Sequence, residues 1–99
     1  MLAKRFFKTK EEVEVVFEID PPGVDHVELV CEDLGWEPVP MKRADRGKGP
    51  FRTRIRFPRD RQIQFRYIFN GQHWENDDNA DAYWPNEHGS ENSVVDTAA

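Results

Sequence analysis

Phe65-Arg66-Tyr67-Ile68-Phe69-Asn70-Gly71-Gln72-His73-Trp74 carries the strongest conformational signal in the chain. With Gln62-Ile63-Gln64 before it, the stretch sets Ile63, Phe65, Tyr67 and Phe69 at alternate positions and Gln62, Gln64, Arg66 and Ile68 between them. A side-chain period of two is that of a β-strand with one apolar face. Asn70-Gly71 ends it, because a type I′ hairpin turn requires positive φ at both central residues and this pair meets that requirement at least steric cost. The spacing predicts a strand, a tight reversal and a returning segment that carries Trp74, with Arg66 on the face opposite the phenylalanines.

The same alternation recurs on either side. Val13, Val15, Phe17 and Ile19 alternate with Glu12, Glu14, Val16 and Glu18, which predicts a half-buried strand over 12–19. Asp20-Pro21-Pro22-Gly23 stops it, since proline cannot donate to a ladder and glycine permits the reversal. His26 to Cys31 repeats the theme through Val27, Leu29 and Cys31. Glu32 to Pro38 reads as a turn-rich loop bearing Trp36, and Val39 to Lys42 as a short strand that Pro40 confines to a sheet margin. After a charged turn over 45–49, Phe51, Thr53, Ile55 and Phe57 alternate with Arg52, Arg54 and Arg56. Downstream, residues 75–89 form a long polar connection containing Tyr83 and Trp84, of the length that is usually functional or disordered. Asn92 to Thr97 supplies a last strand through Val94 and Val95.

Residues 1–11 read as an N-terminal extension ahead of a module over 12–97. Leu2 and Phe6 give the extension a weak helical pattern, but a segment this short is marginal as an isolated helix. Its alternative is an extended run lying against the body of the protein through Phe6 and Phe7. Six or seven short strands in 99 residues predict one all-β domain, an immunoglobulin-like antiparallel β-sandwich.

The single cysteine, Cys31, excludes an intramolecular disulfide and suits a reducing compartment. No run reaches the length of a membrane span, and Met1 to Lys8 lacks the apolar core of a signal peptide. The expectation is a soluble cytoplasmic protein without a membrane partner. The net charge of −5 hides a segregation. Residues 42–66 hold ten of the 14 basic side chains against only Asp45 and Asp60, a formal +8, which leaves four basic against 17 acidic residues, −13, elsewhere. Arg52, Arg54 and Arg56 are expected to pair with Glu12, Glu14, Glu18 and Glu28 on neighbouring strands. They could also attract an anion, but the overall acidity argues against nucleic acid.

Little here suits catalysis. There is no Gly-x-Ser-x-Gly and no phosphate-cradling glycine loop. Cys31 shares a face with Val27 and Leu29, which makes it a core residue rather than a nucleophile. His26, His73 and His88 lack metal-ligand spacing and read as surface residues. Asp77-x-Asn79-x-Asp81 has the first spacings of a calcium loop, but Ala82 stands where the glycine is needed and His88 where the glutamate is needed. These acids read instead as turn caps. The chain is therefore expected to be no enzyme, with no cofactor and no metal. What remains is a set of loop aromatics, Trp36, Trp74, Tyr83 and Trp84, which either close the ends of the core or face solvent. In the second case Trp36 and Trp74 offer flat apolar surfaces to the C–H faces of pyranose rings, while Arg66, Asn92 and backbone groups meet the hydroxyls.

Four segments in this order resemble a known family. They are Val27-Glu28-Leu29-Val30 with the loop to Trp36, Pro40-Met41, Phe65 to Gly71 followed by Trp74, and Gly89-Ser90-Glu91-Asn92-Ser93-Val94-Val95. Together they are similar to the glycogen-binding modules of the isoamylase N-terminal early-set type, carbohydrate-binding module family 48, and to its small free-standing bacterial members. The resemblance implies non-catalytic binding of α-1,4-glucan, glycogen or a maltooligosaccharide. It implies stacking by Trp36 and by Trp74, or His73 beside it, with Arg66 in the place of the family's lysine and polar contacts from Asn92 and Ser90. A second possibility is a module that has lost sugar binding and docks on a glycogen-metabolising enzyme.

Overall fold

The computed structural model describes residues 2–8, 11–43 and 45–98. Within them the chain forms β1 (Leu2–Phe6), β2 (Glu12–Ile19), β3 (Val27–Cys31), β4 (Val39–Pro40), β5 (Lys42–Arg43), β6 (Phe51–Pro58), β7 (Gln62–Phe69), β8 (His73–Glu75), β9 (Ala82–Pro85) and β10 (Glu91–Asp96). One sheet has the order β1-β2-β6-β5 and the other β4-β3-β7-β10-β9, with β8 also on β7. Every pairing is antiparallel. Among the described residues no helix is long and apolar enough to cross a membrane.

The two sheets face each other through the alternating residues that define their strands. Val13, Val15, Phe17, Phe51 and Phe57 come from one sheet and Val27, Leu29, Cys31, Ile63, Phe65, Tyr67 and Val95 from the other, all buried. Phe17 joins the layers, its ring meeting Phe57 at 6.2 Å and Phe65 at 5.1 Å edge-on, and Phe65 meets Tyr67 in the same way. Edge-to-face contacts align ring edges with ring faces and add about 1 kcal/mol each beyond area burial. Burial pushes the Cys31 thiol pKa up, in keeping with a core position.

The strand at the centre, β7, ends as its sequence requires. Asn70 and Gly71 have φ of 52° and 67°, and the Gln72 amide donates to the Phe69 carbonyl at 3.0 Å. The Asn70 side chain adds a tertiary link, its Oδ1 accepting the amides of Asp25 and His26 at 3.0 and 3.1 Å. One edge of β7 carries β3, and the other is divided: β8 pairs with Tyr67–Phe69 and β10 with Gln62–Phe65.

Three expectations need correction or completion. Residues 2–6 are extended rather than helical, since β2 offers them a hydrogen-bonded partner that an isolated turn of helix would lack. Phe6 stays 38% exposed, and the Phe7 ring lies against the guanidiniums of Arg5 and Arg56 rather than in the core; Met1, Thr9 and Lys10 lie outside the described residues. The segment 39–42 is two strands, because the chain changes sheets at the buried Met41, whose amide donates to the Val27 carbonyl at 3.0 Å. The connection over 75–89 contains β9, a four-residue strand that β10 templates and that Pro85 closes.

The arginine pattern resolves by register. Glu18 faces Arg52 and Glu14 faces Arg56, and Arg52 grips Glu18 Oε2 through both Nε (2.9 Å) and Nη2 (2.7 Å). Glu12 faces Pro58 instead, and Glu28 sits in the other sheet, so neither pairs with these arginines. Arg54 faces Val16 and makes no ion pair among the described residues.

A cleft on the outer face of the six-stranded sheet

Because Ile63, Phe65 and Tyr67 point inward, Gln64, Arg66 and Ile68 must point out of the six-stranded sheet. Around them Val30, Ile68 and Val94 are almost fully buried and make an apolar bed. Val30 lies opposite Arg66, Trp74 opposite Ile68 and Asn92 opposite Trp84. Strand pairing therefore fixes where most of the outward side chains can be.

Trp36 arrives by another route. After β3 a short 3-10 turn, Glu32–Leu34, ends with Gly35 and Trp36 both at positive φ, 65° and 62°. The Gly35 amide donates to the Glu32 carbonyl at 3.0 Å and that of Trp36 to the Cys31 carbonyl at 2.9 Å. A left-handed backbone costs a non-glycine residue about 1–2 kcal/mol. The loop is held against β7 and its turn, with Glu32 Oε1 accepting the Gln64 amide at 3.0 Å and Asp33 pairing with Arg61 at 2.8 Å.

These elements meet in an open cleft of about 300 Å3, lined by Trp36, Arg66, Trp74, Asn86, Glu87, His88 and Asn92. Trp36 and Trp74 are 36% and 48% exposed. Arg66 spans the floor. Its Nη2 donates to the Trp74 carbonyl at 2.9 Å, its Nη1 reaches Ser90 Oγ at 3.5 Å, and its buried Nε has no partner. Asn92 donates through Nδ2 to Gln64 Oε1 at 3.1 Å. Of the five residues singled out in the sequence, four line the cleft and Ser90 touches Arg66. His73 is not among the lining residues; it lies opposite Phe69, one step out of phase with Trp74. Tyr83 and Trp84 lie outside the cleft.

The sequence reading missed Asn86, Glu87 and His88. The signal that could have found them is an asparagine three residues before a glycine, the mark of a side-chain-capped turn. Asn86 Oδ1 accepts the amides of His88 (2.9 Å) and Ser90 (3.2 Å), and Gly89 has φ 80°.

The segment that returns from β8 is anchored inside. The Tyr67 hydroxyl donates to Asp77 Oδ2 at 2.6 Å, and Asp77 Oδ1 accepts the Asn79 amide at 2.8 Å. The Asp77 amide donates to Ser93 Oγ at 2.9 Å, and the Tyr83 hydroxyl donates to the Asp77 carbonyl. Burial, then the Asp77 hydrogen bond and charge, push the Tyr67 pKa far above the ordinary phenol value. Asp81 serves other partners, pairing with Lys4 at 2.7 Å and accepting the Asp96 amide at 2.7 Å. Asp77 and Asp81 thus cap backbone amides, and among the described residues no group of three or more acids, histidines or cysteines is placed to hold a metal ion.

Larger recesses lie elsewhere. One of about 430 Å3 is rimmed by Pro21, Pro22 and acids including Asp20 and Asp78, and one of about 600 Å3 lies by Met41 and Arg43. Neither is lined by a tryptophan, whereas the smaller cleft combines uncovered aromatic faces with convergent polar groups. No family model matches this chain, and no curated protein matches it significantly in sequence.

Proposed function

We propose that the protein binds α-1,4-linked glucan, glycogen or a maltooligosaccharide, without catalysing its conversion. The observation that carries this reading is the meeting of two exposed indoles with Arg66 and Asn92 in one open cleft. A glucose ring has apolar C–H faces and a polar rim, so a site for it needs flat apolar surface beside hydrogen-bonding groups. We place the chain, on its sequence resemblance, with the immunoglobulin-like glycogen-binding modules and in the cytoplasm. Titration with maltoheptaose, followed by NMR at the indole N–H signals, tests the reading: shifts at Trp36 and Trp74 are expected, and their absence at millimolar ligand overturns it. Trp74→Ala should weaken binding by roughly thirtyfold, the scale of a buried aromatic anchor.

A second reading is docking on a glycogen-metabolising enzyme. The exposed Arg54, without an ion-pair partner among the described residues, favours it. Retention of such an enzyme in the presence of excess glucan, and its loss with Arg54→Glu, would support this reading over the first.

A further inference from the structure

The cleft's polar side chains are not independent, and their orientations follow from two backbone amides. An amide nitrogen of the backbone can only donate, so the atom of Asn86 that meets His88 N and Ser90 N must be its oxygen. Its Nδ2 is then forced toward Ser90 Oγ (2.9 Å) and Asn92 (3.2 Å). Asn92 must present Oδ1 to that donor, which turns its own Nδ2 toward Gln64 and makes Gln64 present Oε1. Ser90 Oγ accepts from Asn86 and, at longer range, from Arg66, so its proton is left without an internal acceptor.

The consequence is an imbalance. What the floor still offers to a ligand is mostly N–H and O–H: the remaining guanidinium hydrogens of Arg66, the Ser90 hydroxyl and the second Nδ2 hydrogen of Asn92. A sugar hydroxyl that accepts one of these must also place its own proton. Glu87 is the one carboxylate on the cleft wall among the described residues; it is exposed and makes no hydrogen bond or ion pair. Its place is set by the Asn86 clasp, closed at the base by the Asn86 amide donating to the Ser90 carbonyl at 2.9 Å.

We infer that Glu87 is a ligand-contacting residue that accepts hydrogen bonds from the hydroxyls of a neutral saccharide, and that Asn86 is the positioning residue that holds Glu87 and orients Asn92. This rests on the saccharide reading of the cleft. Glu87 also sets specificity by charge, since a phosphate or sulfate group at that wall would meet a carboxylate of the same sign.

Calorimetric titration with maltoheptaose tests it. Glu87→Ala should weaken binding about fivefold to tenfold, the net scale of one solvent-exposed hydrogen bond, and Glu87→Gln, which keeps one acceptor, by less. Asn86→Asp retains the acceptors for His88 N and Ser90 N but loses the Nδ2 donors. It should leave those two amide signals in place while weakening binding several-fold, a split that a purely structural role would not produce. A wild-type chain that binds maltoheptaose with Glu87→Ala equally tight overturns this inference alone. A wild-type chain that binds none overturns the saccharide reading and this inference with it.

Discussion

The two outer faces of the sandwich are built by the same alternation and end up opposite in character. On the four-stranded sheet the outward residues are Arg52, Arg54 and Arg56 against Glu18, Val16 and Glu14, and across this surface the register gives Arg52 its carboxylate, while Arg54 meets a valine and Arg56 lies against the Phe7 ring. On the six-stranded sheet the single outward guanidinium, Arg66, meets no carboxylate among the described residues and instead bonds a carbonyl and a hydroxyl beneath two tryptophans. The difference lies in what crosses each face. On the first, Phe7 lies against Arg56, whereas on the second the Trp36 loop, β8 and the Asn86 turn bring side chains together around Arg66 as the lining of a cleft. A strand pattern decides which way a side chain points, and the loops decide whether that face becomes a site.

The sharpest way to break the comparison is at the anchor. Asp77→Ala leaves the Tyr67 hydroxyl buried without its acceptor and frees the Asn79 amide, at a cost of about 3 kcal/mol. Denaturant unfolding should show the loss, and the Trp74 signal should broaden while amides of β2 and β6 keep their shifts. Equal disturbance of both faces would contradict the separation drawn here.

Alkaline pH probes the same anchor with less force. Tyr67 in the folded chain holds its proton well above the ordinary phenol pKa of 10, while the unfolded chain releases it there. Below about pH 10 both states are protonated and this stabilisation is fully present. Above it the unfolded state binds fewer protons, so stability falls as pH rises, by at most about 1.4 kcal/mol per unit from this group. Tyr67→Phe should flatten that slope, measured by urea unfolding between pH 9 and pH 11, with the wild-type and variant slopes differing in that direction only.

The smallest effect is expected on the flat face. Glu18→Gln breaks a geometrically good but partly exposed pair, 42% on the Arg52 side, so the loss should be about 0.5 kcal/mol and should vanish in high salt. A loss several times larger would mean that this face is less like a solvated surface than its exposure indicates.

The sandwich was legible because period-two alternation survives in every long strand. Val13 to Phe17, Phe51 to Phe57 and Ile63 to Phe69 each write their burial directly into the sequence. The short strands were not, since β9 is four residues between a polar run and a proline and exists because β10 is beside it. Nor was the sheet change at Met41, where one buried side chain serves as a corner. In the cleft, Trp36, Arg66, Trp74 and Asn92 could be picked out as residue types at loop and strand positions. Asn86 and Glu87 could not, because their meaning depends on a turn closed by backbone amides, and residues 75–89 read as one polar connection. Glu28 shows the converse failure: it has the right charge to serve the arginines but lies in the other sheet.

The divided edge of β7 carries a consequence for how the molecule opens. Tyr67, Ile68 and Phe69 are paired with a segment only a turn away along the chain, whereas Ser93 to Asp96 must be brought back across the whole of residues 76–90. Closing the longer loop costs more entropy, so the two halves of one strand belong to units with different histories. In hydrogen exchange the two partners of that edge should part company: the amides of β8 itself report local fraying, and those that join β7 to β10 exchange only when the sandwich as a whole lets go.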